Sequence, residues 1–459
     1  MTTEIDTPVP KRHENRIPPG PRGIPVLGVL PQMVRDPARF CTETMLEFND
    51  LARLNVGFAS IYLVTLPEHV RHVLVDHDEN YWKGTLFNRA RFLFGKGLVL
   101  NEGQSWRRQH NLMQPAFAHR RIASLVPIMA EVVEQRLARW EDACVAGRPL
   151  EMGREMMFLT LRIIAKTMFS LSISDSQLEL MARSFNTALE HMTLRMFTFF
   201  LPEWFPLAGR RECREAVATL EEITYRIIRE RRASGEDLDD LLGMLLAARD
   251  ENGEGMSDLE LRDEVMTTLF GGYEATADAL TWSWHLLGQN PEADARMRAE
   301  VAAVTGGRRP SFEDLAQLTY TGQVTHEAMR LFPPFWFWTR TSYKDDEIGG
   351  HFVPGGSLIL LCPYATHRHP QYWEEPEAFR PERFAAPSPA RPREAWFPFG
   401  TGQRMCIGRH LALMEMQLIL SMVSQRYRPR LEPGRVVVPR AGTSLRARNG
   451  LWMIPERAF

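Results

Sequence analysis

The most informative stretch of this chain is Phe399-Gly400-Thr401-Gly402-Gln403-Arg404-Met405-Cys406-Ile407-Gly408. A single cysteine is most often a small buried apolar side chain, but this one stands near Arg404 and directly before a helical pattern of apolar residues. Backbone N–H groups at the start of a helix and a neighbouring arginine both stabilise a thiolate. Glycines on either side allow a flat group to approach the backbone closely. The stretch therefore predicts a thiolate at Cys406 beneath a flat ligand, which is the environment of a haem iron held by cysteine.

These residues resemble the signature F-x-x-G-x-R-x-C-x-G of the cytochrome P450 family, whose fixed positions are matched by Phe399, Gly402, Arg404, Cys406 and Gly408. The resemblance implies haem b (iron protoporphyrin IX) with the Cys406 thiolate as axial ligand of the iron. Phe399 would pack on the sulfur side of the haem, and Arg404 would pair with a propionate. The implied fold is mainly α with small β-sheets, with a long central helix over the haem.

Two further motifs carry the same resemblance. Glu327-Ala328-Met329-Arg330 is similar to the family's E-x-x-R, and Pro381-Glu382-Arg383-Phe384 is similar to its P-E-R-F. An isolated pair such as Glu327 and Arg330 would be an ordinary helix-surface contact of about 0.2–0.5 kcal/mol. In this order before Cys406, the motifs imply instead a buried ion triad of Glu327, Arg330 and Arg383 that locks the loop beneath the haem.

A long helix is predicted from Ser257, which forms a capping-box pattern with Glu260, to Asn290-Pro291. It would have about nine turns and contains Gly271-Gly272-Tyr273-Glu274-Ala275-Thr276. Adjacent glycines inside a helix cost about 1 kcal/mol each relative to alanine, so they indicate either close helix packing or a groove over the haem. The segment resembles the family's oxygen-activation stretch, in which Glu274 would be the acid that feeds protons.

One position departs from that stretch. Ala275 stands where the family usually has threonine, and Thr276 follows one residue later, rotated by about 100° around the helix axis. Three explanations for the missing threonine hydroxyl are open. A substrate hydroxyl or an ordered water replaces it, Thr276 reaches in through a distorted helix, or the reaction needs no proton relay. We favour the first.

Further haem contacts are implied by weaker likenesses. Trp106-Arg107-Arg108-Gln109-His110 is similar to the W-x-x-x-R segment that binds a propionate, with His110 in place of arginine. His110 can still donate a hydrogen bond. Arg340 lies where the family often supplies another propionate partner, and an ordinary surface arginine is the alternative interpretation.

The family places its substrate wall at residues 87–94, 270–276, 335–339 and 443–445 of this chain. Candidate pocket residues there are Phe87, Phe94, Phe270, Phe335, Phe337 and Ser444. Alternation along an extended chain would turn about two of the four aromatics at 335–338 toward the haem. A second aromatic group (Phe197, Phe199, Phe200, Trp204 and Phe205) falls where the family has a mobile lid, although core packing explains it equally well. Together they favour a bulky apolar ligand such as a terpenoid, a polyketide or a fatty acyl chain.

Composition limits the remaining possibilities. The 459 residues are 44% hydrophobic and 24% charged, and 55 basic against 57 acidic residues give a net charge of −2. This composition is typical of a globular protein and gives no reason to expect a nucleic-acid partner. Length alone suggests about three domains, but a haem gripped from distant segments requires one. We therefore expect a polar tail and proline-rich lead over residues 1–25 and a single haem-binding catalytic domain over residues 26–459.

The resulting functional hypothesis is a cytochrome P450 monooxygenase of secondary metabolism that hydroxylates or epoxidises an apolar small molecule with O2 and two electrons. Because the chain ends at Phe459, we expect a separate electron donor, a ferredoxin with its reductase. Five cysteines, an odd number, fit a reducing cytoplasm, and no stretch approaches the length of a membrane span. We expect a monomer. Ala275 keeps alternatives open: a peroxide-driven oxidation, an oxidative coupling or an isomerisation. A non-catalytic haem or ligand binder is the remaining class.

Overall fold

A computed structural model describes residues 16–57, 59–199, 201–202, 204–236, 238–250 and 253–458. Its α-helices, numbered in chain order, are α1 (Leu30–Arg35), α2 (Pro37–Phe48), α3 (Pro67–Arg71), α4 (Gly84–Asn88), α5 (Arg91–Phe94), α6 (Gly103–Met113), α7 (His119–Ser124), α8 (Val126–Ala138), α9 (Glu141–Val145), α10 (Met152–Phe169), α11 (Asp175–Phe197), α12 (Arg210–Ser234), α13 (Leu241–Ala247), α14 (Asp258–Gln289), α15 (Pro291–Thr305), α16 (Phe312–Gln317), α17 (Thr319–Leu331), α18 (Pro363–Thr366) and α19 (Arg409–Arg426).

The strands are short: β1 (Ala52–Val56), β2 (Ala59–Val64), β3 (Tyr81–Trp82), β4 (Leu150–Glu151), β5 (Trp338–Ser342), β6 (Asp346–Ile348), β7 (His351–Val353), β8 (Leu358–Leu361), β9 (Tyr427–Leu431), β10 (Pro439–Ala441), β11 (Leu445–Ala447) and β12 (Trp452–Arg457). The largest sheet has the order β1-β2-β8-β5-β3, and β4-β12-β9 form a second. Strands β6 and β7, and β10 and β11, pair as separate hairpins. The predicted class, mainly α with small β-sheets, is confirmed.

The long helix is α14, and its predicted ends are confirmed. Ser257 accepts the Glu260 backbone N–H while the Glu260 side chain accepts the Ser257 backbone N–H, and Asn290 caps the other end. With 32 residues at about 1.5 Å each, the helix is roughly 48 Å long. It packs against α10, α12, α17 and α19, so it runs through the helical part of the molecule rather than over its surface.

The apolar interior is divided into several clusters, and the two that bear on the site are a main core and a smaller one beside the largest sheet. The main core joins α8, α10, α11, α14 and α19. A second, smaller cluster joins α1, α2 and the strands β1, β2 and β8 around the buried indole of Trp336. The short apolar runs at 60–64 and 357–361 indicate strands, and β2 and β8 lie there as a parallel pair, with Ile61 opposite Leu358.

The proline-rich segment leads into the sheet. Residues 16–29 contain no helix, and the Arg53 backbone N–H donates to the Pro19 carbonyl at 2.7 Å. The first fifteen residues of the predicted tail lie outside the described residues. Within the described ranges, no helix combines the length and apolar character needed to cross a bilayer.

Candidate active site

The cysteine loop is a tight turn that only glycine permits at one point. It makes a short 3-10 turn over Gly402–Arg404 before Cys406, and Gly408 caps α19. The Cys406 backbone N–H donates to the Phe399 carbonyl at 2.9 Å, which closes the loop. Gly402 has φ +72°, and a Cβ there would lie 2.0 Å from the Leu74 carbonyl oxygen. A side chain at residue 402 would therefore push the loop away from its support.

The Cys406 side chain is accessible although protein surrounds it. Burial by that protein raises the pKa of the thiol, opposed by the Gly408 backbone N–H and the Arg409 charge. Accessibility together with burial places the sulfur on an internal surface. A bound metal deprotonates a coordinating thiol outright. The donor therefore fits a haem iron, whereas a neutral thiol would be the resting state without a metal.

Helix α14 presents one accessible stripe. From Leu261 to Leu287 every residue is buried except Gly271, Gly272, Ala275 and Asp278. Residues 271, 275 and 278 share one helix face, and a Cβ at Gly271 would meet nothing within 4 Å. A Cβ at Gly272 would lie 2.5 Å from the Ile164 side chain of α10. The two glycines therefore have different structural roles: Gly271 borders open space, and Gly272 allows α14 to pack closely against α10.

The departure at Ala275 is visible in this stripe. Ala275 is partly accessible, whereas Thr276 is 3% exposed and lies off the stripe. Helix α14 is continuous through both positions. The hydroxyl therefore sits on a different side of the helix from the surface that Ala275 shares with Gly271.

A group of cations surrounds one carboxylate beside the cysteine loop. Arg404 pairs with Glu102 at 2.5 Å and lies 3.7 Å above the centre of the Trp106 ring. Burial, followed by the charge of Arg404, lowers the pKa of His110, whose ring lies 5.0 Å from that of Trp106. The predicted residues Arg404, Trp106 and His110 are thus brought together.

Two more cations complete the group. Arg340 on β5 is 7% exposed, and burial is the main reason that its pKa falls to about 10. Burial, then the charges of Arg340 and Arg404, lowers the pKa of Lys83 to about 7. Arg340 and Arg404 are opposed by the carboxylates of Glu102 and Asp78, and Lys83, with its pKa near 7, is protonated only in part at neutral pH. Cations at this place fit the propionates of a haem.

The E-x-x-R and P-E-R-F residues meet in a fully buried cluster. Arg330 donates to Glu327 through Nε at 2.7 Å and through Nη2 at 2.8 Å, and both side chains are 0% exposed. Arg383 lies 3.3 Å from the same carboxylate. Arg330 also donates to the carbonyls of His367, Pro376 and Ala378. The triad therefore fastens α17 to the segment that leads toward the cysteine loop.

Glu274 is held by residues from the far end of the chain. Its Oε1 accepts from Ser444 Oγ at 2.7 Å and from Arg446 Nη2 at 2.5 Å. The Oε2 atom is buried without a hydrogen-bond partner among the described residues. Arg446 Nε also lies 3.6 Å from Asp278 Oδ2. Ser444, expected in the substrate wall, thus contacts the acid of α14.

One arginine between two buried acids leaves a carboxylate uncompensated. Burial is the main reason that the pKa of Asp278 rises to about 7; Arg446 opposes the rise and Glu274 adds to it. Asp278 lies on the accessible stripe of α14. With this pKa, Asp278 is therefore about half protonated at neutral pH.

The aromatic pocket candidates divide between the cores. Phe94 and Phe270 pack together with ring centres 4.8 Å apart, and Phe87 and Phe335 lie partly buried against the main core. Phe337 packs on the second cluster. Trp336, between them, is 1% exposed and donates its Nε1–H to the Gly442 carbonyl at 2.8 Å.

The aromatic group after α11 is also divided. Phe197 and Phe199 pack on the second cluster, whereas Trp204 is 74% exposed and Phe205 is 40% exposed. Phe200 lies outside the described residues. Only part of the group therefore packs as a core would.

Sequence reasoning missed four residues of this site: Lys83, Glu102, Asp278 and Arg446. Asp278 could have been found, since it lies one turn beyond Glu274 on the same helix. The other three belong to no motif, and only the fold brings them to the site.

Comparison with known proteins places this geometry in context. Residues 18–457 match the family model described as Cytochrome P450. The chain is 37% identical over 457 residues to cyclooctatin synthase of Streptomyces melanosporofaciens, covering 98% of this chain and 97% of that protein. It is 36% identical to cyclooctat-9-en-7-ol 5-monooxygenase of the same organism, covering 90% of each. It is 33% identical to pentalenene oxygenase of Streptomyces avermitilis, covering 91% of this chain and 92% of that protein.

Proposed function

The chain belongs to the cytochrome P450 family, and from this premise we propose that it is a monooxygenase that hydroxylates or epoxidises a bulky terpenoid. Family membership implies a haem with a cysteine thiolate ligand, O2 and an electron donor. Among the apolar ligand classes that the aromatic residues favour, a terpenoid is supported by relatives named for cyclooctatin, cyclooctat-9-en-7-ol and pentalenene.

We assign the cofactor as haem b, with Cys406 as its iron ligand. The observation that carries this assignment is the free and accessible Cys406 side chain on a loop closed by the hydrogen bond to the Phe399 carbonyl. Arg340, Arg404 and Lys83 supply the charge for the propionates, with His110 and Trp106 beside them. The bound haem would supply the redox chemistry by which one oxygen atom of O2 enters the substrate.

The chain's own residues would handle the protons. Glu274 is fixed by Ser444 and Arg446 through one oxygen, and its second oxygen is left without a partner. Ala275 offers no hydroxyl beside this acid. We propose that a hydroxyl of the substrate, or a water that it holds, takes that place. The substrate would then be a terpenoid alcohol rather than a hydrocarbon; the name of one relative also specifies an alcohol.

The same observation favours a second candidate. Without the relay, a haem-thiolate enzyme could run a peroxide-driven oxidation, an oxidative coupling or an isomerisation. The two are distinguished by the co-substrates: a monooxygenase makes product with reductant and O2, whereas the second candidate makes it with peroxide alone or with no oxidant.

The remaining assignments concern partners and location. We propose a ferredoxin with its reductase as electron donor, docked against the exposed Arg107 and the partly exposed Arg409 beside the cysteine loop. Arg108 is less suited because Asp250 and Glu260 already pair with it at 2.9 Å each. We propose a cytoplasmic monomer, since all five cysteines are free thiols, as a reducing compartment would keep them.

Two substrates and two variants test the relay. A spectral binding screen of terpenes, terpene alcohols, macrolides and fatty acids, scored by displacement of the iron-bound water, first identifies a ligand. Product formed per electron pair is then measured with a hydroxylated ligand and with its deoxy analogue. We expect the deoxy analogue to be poorly coupled in the wild type and better coupled in Ala275→Thr. Thr276→Val is the matched control and should leave coupling unchanged with the alcohol.

The two parts of the proposal fail separately. Equal coupling of alcohol and deoxy analogue in the wild type would refute the substrate hydroxyl as relay. Loss of coupling in Thr276→Val would assign the relay to Thr276. Tight binding of fatty acids or macrolides with no response to terpenoids would refute the substrate class.

A further inference from the structure

The π-helical turn that supports the cysteine loop at Leu74 also places two histidines side by side. The turn covers His72–Asp76, directly after α3, and the His77 backbone N–H donates to the His72 carbonyl at 2.9 Å. In an α-helix, residues five apart point about 140° away from each other. The i→i+5 closure brings them onto one side, and the two imidazole rings stack with centres 4.1 Å apart. Single π turns of this kind occur frequently at functional sites.

A carboxylate from another part of the chain joins the pair. Asp346, the first residue of β6, places Oδ2 2.9 Å from His72 Nε2 and accepts the Tyr81 hydroxyl at 2.6 Å. The hydrogen bonds with Tyr81 and His72 hold the Asp346 carboxylate in place from two sides.

We propose that His72, His77 and Asp346 form a binding site for one divalent transition-metal ion of the Zn²⁺ type. One ligand atom from each of the three lies within 4.8 Å of the other two. Two imidazole nitrogens and one carboxylate oxygen form a donor set that Zn²⁺ and Cu²⁺ prefer. Tetrahedral ligands of zinc lie about 3.3 Å apart, so the ligands must draw closer. The His77 side chain is exposed and can move to meet the ion.

A purely structural role explains only part of the cluster. The Tyr81–Asp346–His72 hydrogen bonds tie the π turn to β6, and they do not involve the His77 ring. Within the described part of the chain, that ring makes no hydrogen bond and its aromatic contact is with His72. A structural role therefore does not explain the position of the His77 ring, whereas a metal site does.

The test uses the full-length, haem-loaded chain without a histidine tag. Zn²⁺ is titrated by calorimetry at pH 7.5, where most imidazoles are neutral, and Cu²⁺ is followed by electron paramagnetic resonance. We expect one tight Zn²⁺ per chain and a Cu²⁺ signal split by two nitrogens. His77→Ala, a surface change that spares the Tyr81–Asp346–His72 bonds, should weaken Zn²⁺ binding at least tenfold and leave one coupled nitrogen.

His119→Ala is the matched control, since His119 is an exposed histidine on α7 outside this cluster. It should change the Zn²⁺ affinity less than twofold. Equal Zn²⁺ affinity of His77→Ala and wild type, or a Cu²⁺ signal that is the same in both, would overturn the proposal. So would the absence of any Zn²⁺ binding to the wild type.

Discussion

Glu327→Gln tests whether the buried triad is held together by charge. The Glu327 carboxylate accepts four hydrogen bonds: from Arg330 Nε at 2.7 Å, Arg330 Nη2 at 2.8 Å, the Arg380 backbone N–H at 2.9 Å and Arg383 Nε at 3.3 Å. Glutamine keeps the shape, but it removes the negative charge and turns an NH2 group toward one of these donors.

The expected cost follows from burial. Glu327 and Arg330 are 0% exposed, and Arg383 is 9% exposed. Removing one partner of such a pair leaves a buried charge without compensation, which costs about 3–5 kcal/mol. Glu382→Gln is the matched control in the same segment. Its carboxylate pairs with Arg296 at 2.6 Å, but the two side chains are 50% and 57% exposed, so its loss should cost less than about 1 kcal/mol.

Urea unfolding of the haem-loaded variants, followed by circular dichroism and by haem absorbance, measures both costs. The double variant Glu327→Gln/Arg330→Met should be no more stable than Glu327→Gln. Arg330 also donates to three carbonyls, and its removal would leave them without that donor. A cost for Glu327→Gln no larger than that for Glu382→Gln would refute the charge argument, and recovery in the double variant would refute the role of the carbonyls.

Three further predictions concern the cysteine and α14. Cys406→Ser should lose the thiolate band of the reduced carbon-monoxide spectrum; a surviving band would show that another residue binds the iron. Gly272→Ala should destabilise by about 1–3 kcal/mol because its Cβ would lie 2.5 Å from Ile164, whereas Gly271→Ala should keep or raise stability by up to about 1 kcal/mol; equal effects in urea unfolding would contradict the packing. The pKa of Asp278 is about 7 in the folded protein and about 3.9 in the unfolded chain. Between these two pH values the folded state binds a proton that the unfolded chain has released, so the free energy of unfolding falls as the pH rises through this range. The stability of wild type relative to Asp278→Asn should therefore fall by up to about 3 kcal/mol between pH 5 and pH 8, and a pH-independent difference in urea would contradict an uncompensated carboxylate.

Much of the fold could be predicted because its signals are local. The ends of α14 follow from a capping box at Ser257 and from Asn290-Pro291, and the strands β2 and β8 follow from short apolar runs. Their pairing was not predictable, since Ile61 and Leu358 meet only once the helices between them have folded. The different directions of the Ala275 and Thr276 side chains could also be predicted, because helix geometry fixes the angle between consecutive residues.

Site residues that belong to a motif could be predicted from the sequence, whereas residues that contribute only a charge could not. Cys406, Glu327 and Arg330 belong to recognisable patterns of spacing. Lys83 and Glu102 do not, because a charge can act on a propionate from any segment that the fold brings within reach. Ser444 was assigned to the substrate wall from its position, whereas its hydrogen bond to Glu274 depends on where β11 lies against α14.

The charges around α14 indicate what Ala275 lacks. Arg446 stands between Glu274 and Asp278, and one cation cannot compensate two buried carboxylates. Asp278, with its pKa of about 7, is therefore about half protonated at neutral pH. Ala275 lies between the two acids in the sequence, and it shares the accessible stripe with Asp278. Under the proposed function, Asp278 would supply protons, and the missing component would be a hydroxyl to carry them across the space beside Ala275. Since Thr276 points elsewhere and the helix is regular, we infer that the carrier arrives with the substrate, so that efficient turnover and substrate recognition depend on the same group.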